Sequence, residues 1–471
     1  MPSLTLLLLS RWQFAFTVAF HMTFPAITVG LAVFLAFVYG IYLRTGERVY
    51  LQIFRFWKKI FAVGFALGVV AGTVITFEFG LNWGPYAAAT GPILGPIIGM
   101  EVVTAFFLEA GFIGIMLYGD GRVSPRVMFT ACCLVALGTV LSTTWILAAN
   151  SWMQTPAGYR IVAGQFQPAD WVAAIFNPSF AWRFPHMLLA VLISAAWLIG
   201  GICAYYLLVG RHLGFARRGF SLALGVLALL VPAQLYIGDN VAFLDLAYQP
   251  PKFEALEGNW TSDNTGYNLI VVPDLAHQRN LVQITIPKLD SVIAKDLSGH
   301  TAALGLAQTP RAEQPNMWAV FYGFRVMFYA ALVMFAAALT GVVLRLRRRL
   351  YVARWFHRWM VWLTPIGVAA VIGGWVTAET GRQPFVVYGL LRTDQAVSHL
   401  APASLIGSMI AFVLVYLTLY ATWIVYVIRA IRRGPDPADL TDPARLAEGA
   451  PGTGDTADKP GTAPAAEPPG V

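Results

Sequence analysis

Long apolar runs broken by short basic loops dominate the chain. Nine runs are long enough to cross a hydrocarbon layer of ~30 Å at ~1.5 Å per helical residue. They cover 12–42, 56–79, 94–118, 127–149, 182–208, 219–238, 317–343, 359–379 and 403–430. The pattern predicts an all-α integral membrane protein with nine transmembrane helices. One long polar stretch, Asp239 to Pro315, separates the sixth run from the seventh. It holds PPKFEALEGNWTSDNTG and then a strand-like LVQITI. Beyond Arg433 the chain is rich in Pro, Ala, Gly and Asp, a composition expected to stay disordered. The expected division is therefore six helices over 1–238, a polar loop over 239–315, three helices over 316–433 and a tail over 434–471.

The loops alternate in charge. Arg44, Arg48, Arg55, Lys58 and Lys59 lie together, as do Arg122 with Arg126, and Arg211 with Arg217 and Arg218. Arg345, Arg347, Arg348, Arg349, Arg354 and Arg358 fill another loop, and Arg429, Arg432 and Arg433 close the last helix. The intervening loops carry little: none in 80–93, Arg160 in 150–181, Arg382 and Arg392 in 380–402. Basic loops stay in the cytoplasm. The N-terminus and the long polar loop are then periplasmic and the C-terminus cytoplasmic.

Composition excludes a soluble enzyme. The chain is 58% hydrophobic and 12% charged, against ~25% charged in an ordinary soluble domain. Its net charge of +8 sits in the loops, so it reads as a topology signal and not as a nucleic-acid surface. Cys132, Cys133 and Cys203 lie inside apolar runs without CxxC spacing, which predicts neither a disulfide framework nor a zinc site. The opening MPSLTLLLLSRW lacks a basic n-region and a small-residue cleavage site, so it reads as the start of the first helix.

Ionisable or metal-ligating groups inside spans are costly and default to function. His21, Glu101, His186, Met327 and Glu379 come from five different helices and all fall in the outer half of the membrane. A ring of His, Met and Glu at one depth has the form of axial ligands for haem iron. His186 with Met327 suits a six-coordinate, low-spin electron-transfer iron, and Arg183 and Arg325 stand close enough in sequence to pair with propionates. His21, Glu101 and Glu379 suit high-spin irons that keep a position open for oxygen. Taken singly, each has a plainer reading. His186 is a core histidine bonded to a carbonyl, Met327 is core filler, and each Glu is a protonated carboxyl bonded to a neighbouring helix. Glu109 follows Glu101 by eight residues, ~12 Å along the same helix toward the cytoplasm. It is placed either to relay protons or to bond two helices.

Five segments carry a resemblance: LSRWQFAFTVAFH, MEVVTAFFLEAGF, QPPKFEALEGNW, FYGFRVMF and GGWVTAETGRQPF. Together they resemble subunit I of the cytochrome bd quinol oxidases from about residue 9 to 430, and HMTFPAITVG is similar to the cyanide-insensitive branch. The resemblance implies nine helices and three haems near the outer face, two haem b and one haem d or a third haem b. It implies His186 and Met327 on the low-spin haem, and His21, Glu101 and Glu379 on the high-spin pair. His21 would serve the oxygen-reducing haem and Glu379 the second haem b. Arg183, Arg325 and Arg382 would bind the cofactors, and Lys252 and Glu257 the quinol, ubiquinol or menaquinol. Glu101 and Glu109 would act in catalysis, with Ser142, Thr143 and Thr144 as candidates for the proton route. Oxygen would be the acceptor. A second membrane subunit and a single-helix small one would be partners, and the bacterial inner membrane the location. Without the resemblance, Lys252 and Glu257 read as a solvated loop charge pair.

Two rivals fail on histidine count: a haem-copper oxidase and a two-haem cytochrome b both need more membrane histidines than His21 and His186. The competing class is a proton-coupled transporter using Glu101, Glu109 and Glu379. It lacks the repeated halves typical of such proteins.

Overall fold

The structure, a computed structural model, describes residues 4–262, 266–287 and 305–440. Among the described residues nine helical spans are long and apolar enough to cross a membrane: Leu4–Thr45, Arg48–Leu81, Gly84–Tyr118, Pro125–Gln154, Phe180–Val209, Leu213–Tyr248, Met317–Leu346, Arg354–Gly381 and Pro402–Arg433. Several are longer than their apolar runs, because a helix keeps its hydrogen bonds after it leaves lipid. The sixth is the clearest case. Asp239, Asn240 and Asp245 end its apolar run, so the sequence put the helix end at 238. The helix continues to Tyr248, and the two prolines after Gln249 stop it there.

Three spans are interrupted where the sequence offers a reason. The first is two helices, Leu4–Thr23 and Pro25–Thr45, joined at Phe24, since Pro25 brings no N–H to the ladder. The third carries Pro92 and Pro96 in Gly84–Glu101, then a π-helical turn over Val102–Phe106 immediately after Glu101. Such wide turns often mark functional positions. The eighth breaks at Pro365 between Arg354–Trp362 and Ile366–Gly381.

The core lies among the first, second, fifth and sixth spans, where Phe24, Trp57, Phe61, Trp197, Tyr206, Phe215 and Phe220 are buried. In lipid, helices associate through close packing more than through apolar transfer. Gly30 lets the first span touch the backbone of Val191 on the fifth, where any Cβ would overlap. The fifth, sixth, seventh and eighth spans pack as a second group. The ninth span is the least enclosed; Ile410, Leu414 and Leu417 face outward.

Among the described residues three short hairpins decorate the bundle: β1 (Tyr159–Val162) with β2 (Gln165–Pro168), β3 (Tyr267–Asp274) with β4 (Arg279–Ile286), and β5 (Phe385–Val387) with β6 (Leu391–Arg392). LVQITI is the body of β4, as its alternation implied. The expected tail begins differently from a disordered segment. Residues 434–440 are held against the second span: Gln52 donates to the Asp436 carbonyl at 2.8 Å and Arg55 pairs with Asp439 at 2.7 Å. Charge pairing overrides the Pro- and Asp-rich composition there. The tail beyond Leu440 lies outside the described residues.

Candidate functional site

Three expected iron ligands share one local arrangement. His21 faces Gly72 of the second span, His186 faces Gly238 of the sixth, and Met327 faces Gly374 of the eighth. A Cβ built on these glycines would stand 3.1 Å from the His21 ring, 3.2 Å from the His186 ring and 2.8 Å from Met327 Sδ. Glycine keeps the flank of each donor side chain bare. Gln234 lies beside His186, with Nε2 3.2 Å from Nδ1 and 3.4 Å from Nε2.

The two carboxyls of the third span face one stripe of the fourth. Ser142 Oγ donates to Glu101 Oε1 at 2.8 Å. Gly138, one turn away from Ser142, packs on Glu109 Cγ, and Glu109 is buried. The other two candidate hydroxyls do not join them: Thr143 and Thr144 donate to their own helix, at Thr139 O and Val140 O. Glu379 is heavily engaged. Asn150 and Gln154 amides donate to its Oε1 at 2.9 and 3.4 Å, and Arg382 pairs with Oε2 at 2.5 Å. A carboxylate offers about four acceptor directions, so roughly one remains for a metal.

The two quinol-loop residues are not a solvated pair. The short helix Pro250–Glu257 is buried against the ends of the spans, with Lys252 1% and Glu257 5% exposed. Nor do they bind each other. Lys252 Nζ donates to Asp245 Oδ1 at 2.9 Å and to Gln249 Oε1 at 3.2 Å. Asp245 Oδ1 also pairs with Arg183 at 3.4 Å. Glu257 pairs with Arg325 at 3.4 Å, and Arg325 also donates to Asn268 O while stacking over Tyr267 and Phe321, 4.4 Å from each ring centroid. Burial, then the Arg183 charge, pulls the Lys252 ammonium down to about 8, against the opposite pull of Asp245 and Glu379.

These groups gather where the spans meet the short helix, all of them buried except the half-buried Glu379. Four buried cations (Arg183, Lys252, Arg325, Arg382) pair with or stand near the carboxylates of Asp245, Glu257 and Glu379, and a further buried carboxylate, Glu254, lies on the same short helix as Lys252. Several arginine donors are buried without a hydrogen-bond partner: Arg183 Nε, Arg325 Nη1, and Arg382 Nε and Nη1. Buried N–H groups left unpaired are expensive. Anionic propionates at this level would satisfy them, so the donor set fits haem. Among the described residues no three His, Cys, Asp or Glu side chains converge as a cage for a bare metal ion. A porphyrin iron needs only one or two axial donors.

Two members escaped the sequence reading. Asp245 was placed in a solvated loop because the apolar run ended before it. Glu78 sits in the second span, 2% exposed, where Thr17 Oγ1 donates to its Oε1 at 2.9 Å. It lies in TFEFG at the end of the second apolar run, and the sequence reading did not single it out. Thr17 lies one turn before His21 on the same helix, and that spacing was the available clue.

With this geometry in hand, the comparisons decide the family. The profile of the cytochrome bd terminal oxidase subunit I matches residues 9–435. The chain belongs to that family. It is 33% identical to the cytochrome bd ubiquinol oxidase subunit 1 of Bacillus subtilis, over 91% of this chain and 94% of that one. It is 30% identical to the cytochrome bd-II ubiquinol oxidase subunit 1 of Escherichia coli, over 93% and 98%. The bd oxidase structure from Geobacillus thermodenitrificans superposes with a TM-score of 0.85 at 26% identity, covering 92% of this chain and all of that one. A bd-type subunit I is a haem-bearing, multi-pass chain of the bacterial inner membrane, working in a respiratory quinol oxidase with quinol and oxygen.

Proposed function

We propose that this chain oxidises quinol at the periplasmic face and reduces oxygen to water with cytoplasmic protons. His186 and Met327 hold a low-spin haem b. His21, Glu101 and Glu379 serve a high-spin haem b and a haem d, or a third haem b, with His21 at the oxygen site and Glu379 on the second haem b. Arg183, Arg325 and Arg382 pair with propionates. When bound, the haems supply one-electron transfer and, at an iron with an open position, oxygen binding.

The chain's own residues do the rest. Lys252 has three N–H donors, two of them used by Asp245 and Gln249, so one is left for a quinol oxygen. Glu257 accepts a quinol proton and Arg325 stabilises it as a carboxylate. Glu109 and Ser142 pass protons outward to Glu101. Each quinol gives up two electrons and two protons outside, and oxygen takes four electrons and four protons from within. Charge then separates without a pump, storing ~2.3 kcal/mol per elementary charge per 100 mV. The polar segment 239–315 is the quinol-binding part, and the partners are a subunit II and a single-helix small subunit, with ubiquinol or menaquinol as donor.

The observation that carries this reading is the set of buried arginine N–H donors without partners, on Arg183, Arg325 and Arg382, each within three residues of a candidate ligand. A pyridine haemochrome assay on the purified complex tests it. Three haems per chain are expected, at least two of them haem b. A complex with no haem contradicts it and favours the proton-coupled transporter.

A further inference from the structure

The cluster around Lys252 contains a carboxylate, Asp245, that the quinol and haem assignments leave without a role. Asp245 sits near the end of the sixth span, 6% exposed, and a single oxygen of it holds two cations from different elements. Lys252 of the loop helix reaches Oδ1 at 2.9 Å, and Arg183 of the fifth span reaches the same atom at 3.4 Å. Lys252 and Arg183 are 1% and 8% exposed. Without the carboxylate, two positive side chains would share a dry site with little water to screen them. Arg183 precedes His186 by three residues, about one helical turn, so both stand on one face of the fifth span. Gly381, at the end of the eighth span, leaves room for the Lys252 stem to lie against the backbone; a Cβ there would stand 2.9 Å from Lys252 Cδ and 3.1 Å from Cε.

We propose that Asp245 is a positioning residue for quinol oxidation, fixing the Lys252 ammonium at the quinol oxygen and tying it to the helix that carries His186. This rests on Lys252 being the quinol contact. Asp245 and Gln249 direct two of the three ammonium N–H groups and so aim the third. Gln249 contributes a neutral acceptor, whereas Asp245 contributes charge as well as direction. The same oxygen anchors Arg183, so a shift of the loop helix is transmitted to the fifth span through one carboxylate.

Steady-state oxygen uptake by the intact complex, with quinol and with an artificial electron donor, tests the inference on Asp245→Asn, Asp245→Glu, Lys252→Ala and the double variant Asp245→Asn/Lys252→Ala. Asp245→Asn keeps the size of the side chain and removes its charge. It should lower kcat/KM for quinol by about 10- to 100-fold, the scale of a misplaced contact group, with a much smaller loss for the artificial donor. Asp245→Glu should recover much of the quinol rate. The double variant should be no worse than Lys252→Ala alone, because Asp245 acts through Lys252. The low-spin haem spectrum, recorded in parallel, should keep its form in Asp245→Asn.

A quinol kcat/KM within about twofold of the parent in Asp245→Asn would overturn the inference, a change too small for a lost buried charge partner. Equal loss with both donors would also overturn it, making Asp245 a support of the haem site alone. If Asp245→Asn does not assemble, Asp245→Ser, which also removes the charge, takes its place, and fully additive losses in Asp245→Ser/Lys252→Ala serve as the contrary result. Failure of the underlying reading looks different: Lys252→Ala itself would then oxidise quinol normally.

Discussion

The two ends of the bundle handle charge in opposite ways. At the end that carries the basic loops, Arg55 and Lys58 meet Asp120 and Asp439, and most of these side chains are part-exposed beside a cavity of about 440 Å³. Such pairs adjust to water and contribute little. At the opposite end, Arg183, Lys252, Arg325 and Arg382 are buried, and the three arginines keep N–H donors without partners. Burying a charge without full compensation costs several kcal/mol. The Arg55 end closes its charges among its own side chains, with even the Arg55 Nε that lacks a hydrogen bond 3.6 Å from Asp120, while the opposite end holds spare buried donors on three arginines that suit a group arriving with negative charge. The difference locates function at that end of the bundle by an argument that does not depend on any relative.

Breaking the outer cluster should have the largest effect. Lys252→Ala and Glu257→Ala should each lower quinol oxidation about 100-fold, measured as quinol-driven oxygen uptake, and leave oxidation of an artificial donor far less affected. Equal loss with both donors would move the quinol site elsewhere. Glu109→Gln should slow turnover by about tenfold, below the ~10²-fold or more of a group that transfers a proton in the reacting bond, because Glu109 only relays. An unchanged rate would remove it from the route.

A pH profile sharpens the contrast further. The Lys252 ammonium is held at about 8, below its usual 10.5, chiefly by burial. As pH rises through about 8 it loses its proton, its charge toward Asp245 and its spare donor. Quinol oxidation should fall on that alkaline limb, and oxidation of an artificial donor should lack the limb. The smallest effect belongs to the other end. Arg55→Ala removes a part-exposed pair and should cost at most about 1 kcal/mol of stability, with unchanged spectrum and turnover. A large loss of oxygen uptake there would erase the distinction between the two ends.

Most of the fold was legible because spans follow from apolar length alone. All nine runs became spans, and the candidate ligands fell on the expected helices. What could not be read was where helices end once they leave lipid. Apolar length reports the bilayer, not the hydrogen-bond ladder, so the sixth span was cut short and Asp245 was assigned to a loop. Lys252 and Glu257 were judged by their type, and charged loop residues are ordinarily solvated; their burial depends on long-range packing against Arg183 and Arg325 that no local pattern encodes. The π turn after Glu101 left no mark beyond the preceding prolines, and Glu78 hid at the edge of an apolar run.

The account turns on His186 and Met327 gripping one low-spin haem in the outer half. The direct measurement is the reduced-minus-oxidised absorbance spectrum of Met327→Leu, a substitution close in volume that removes only the thioether sulfur. The low-spin signature should vanish while the complex still assembles and the remaining haem bands persist. A spectrum identical to the parent's would contradict the assignment of that ligand and, with it, the proposed path of electrons from quinol.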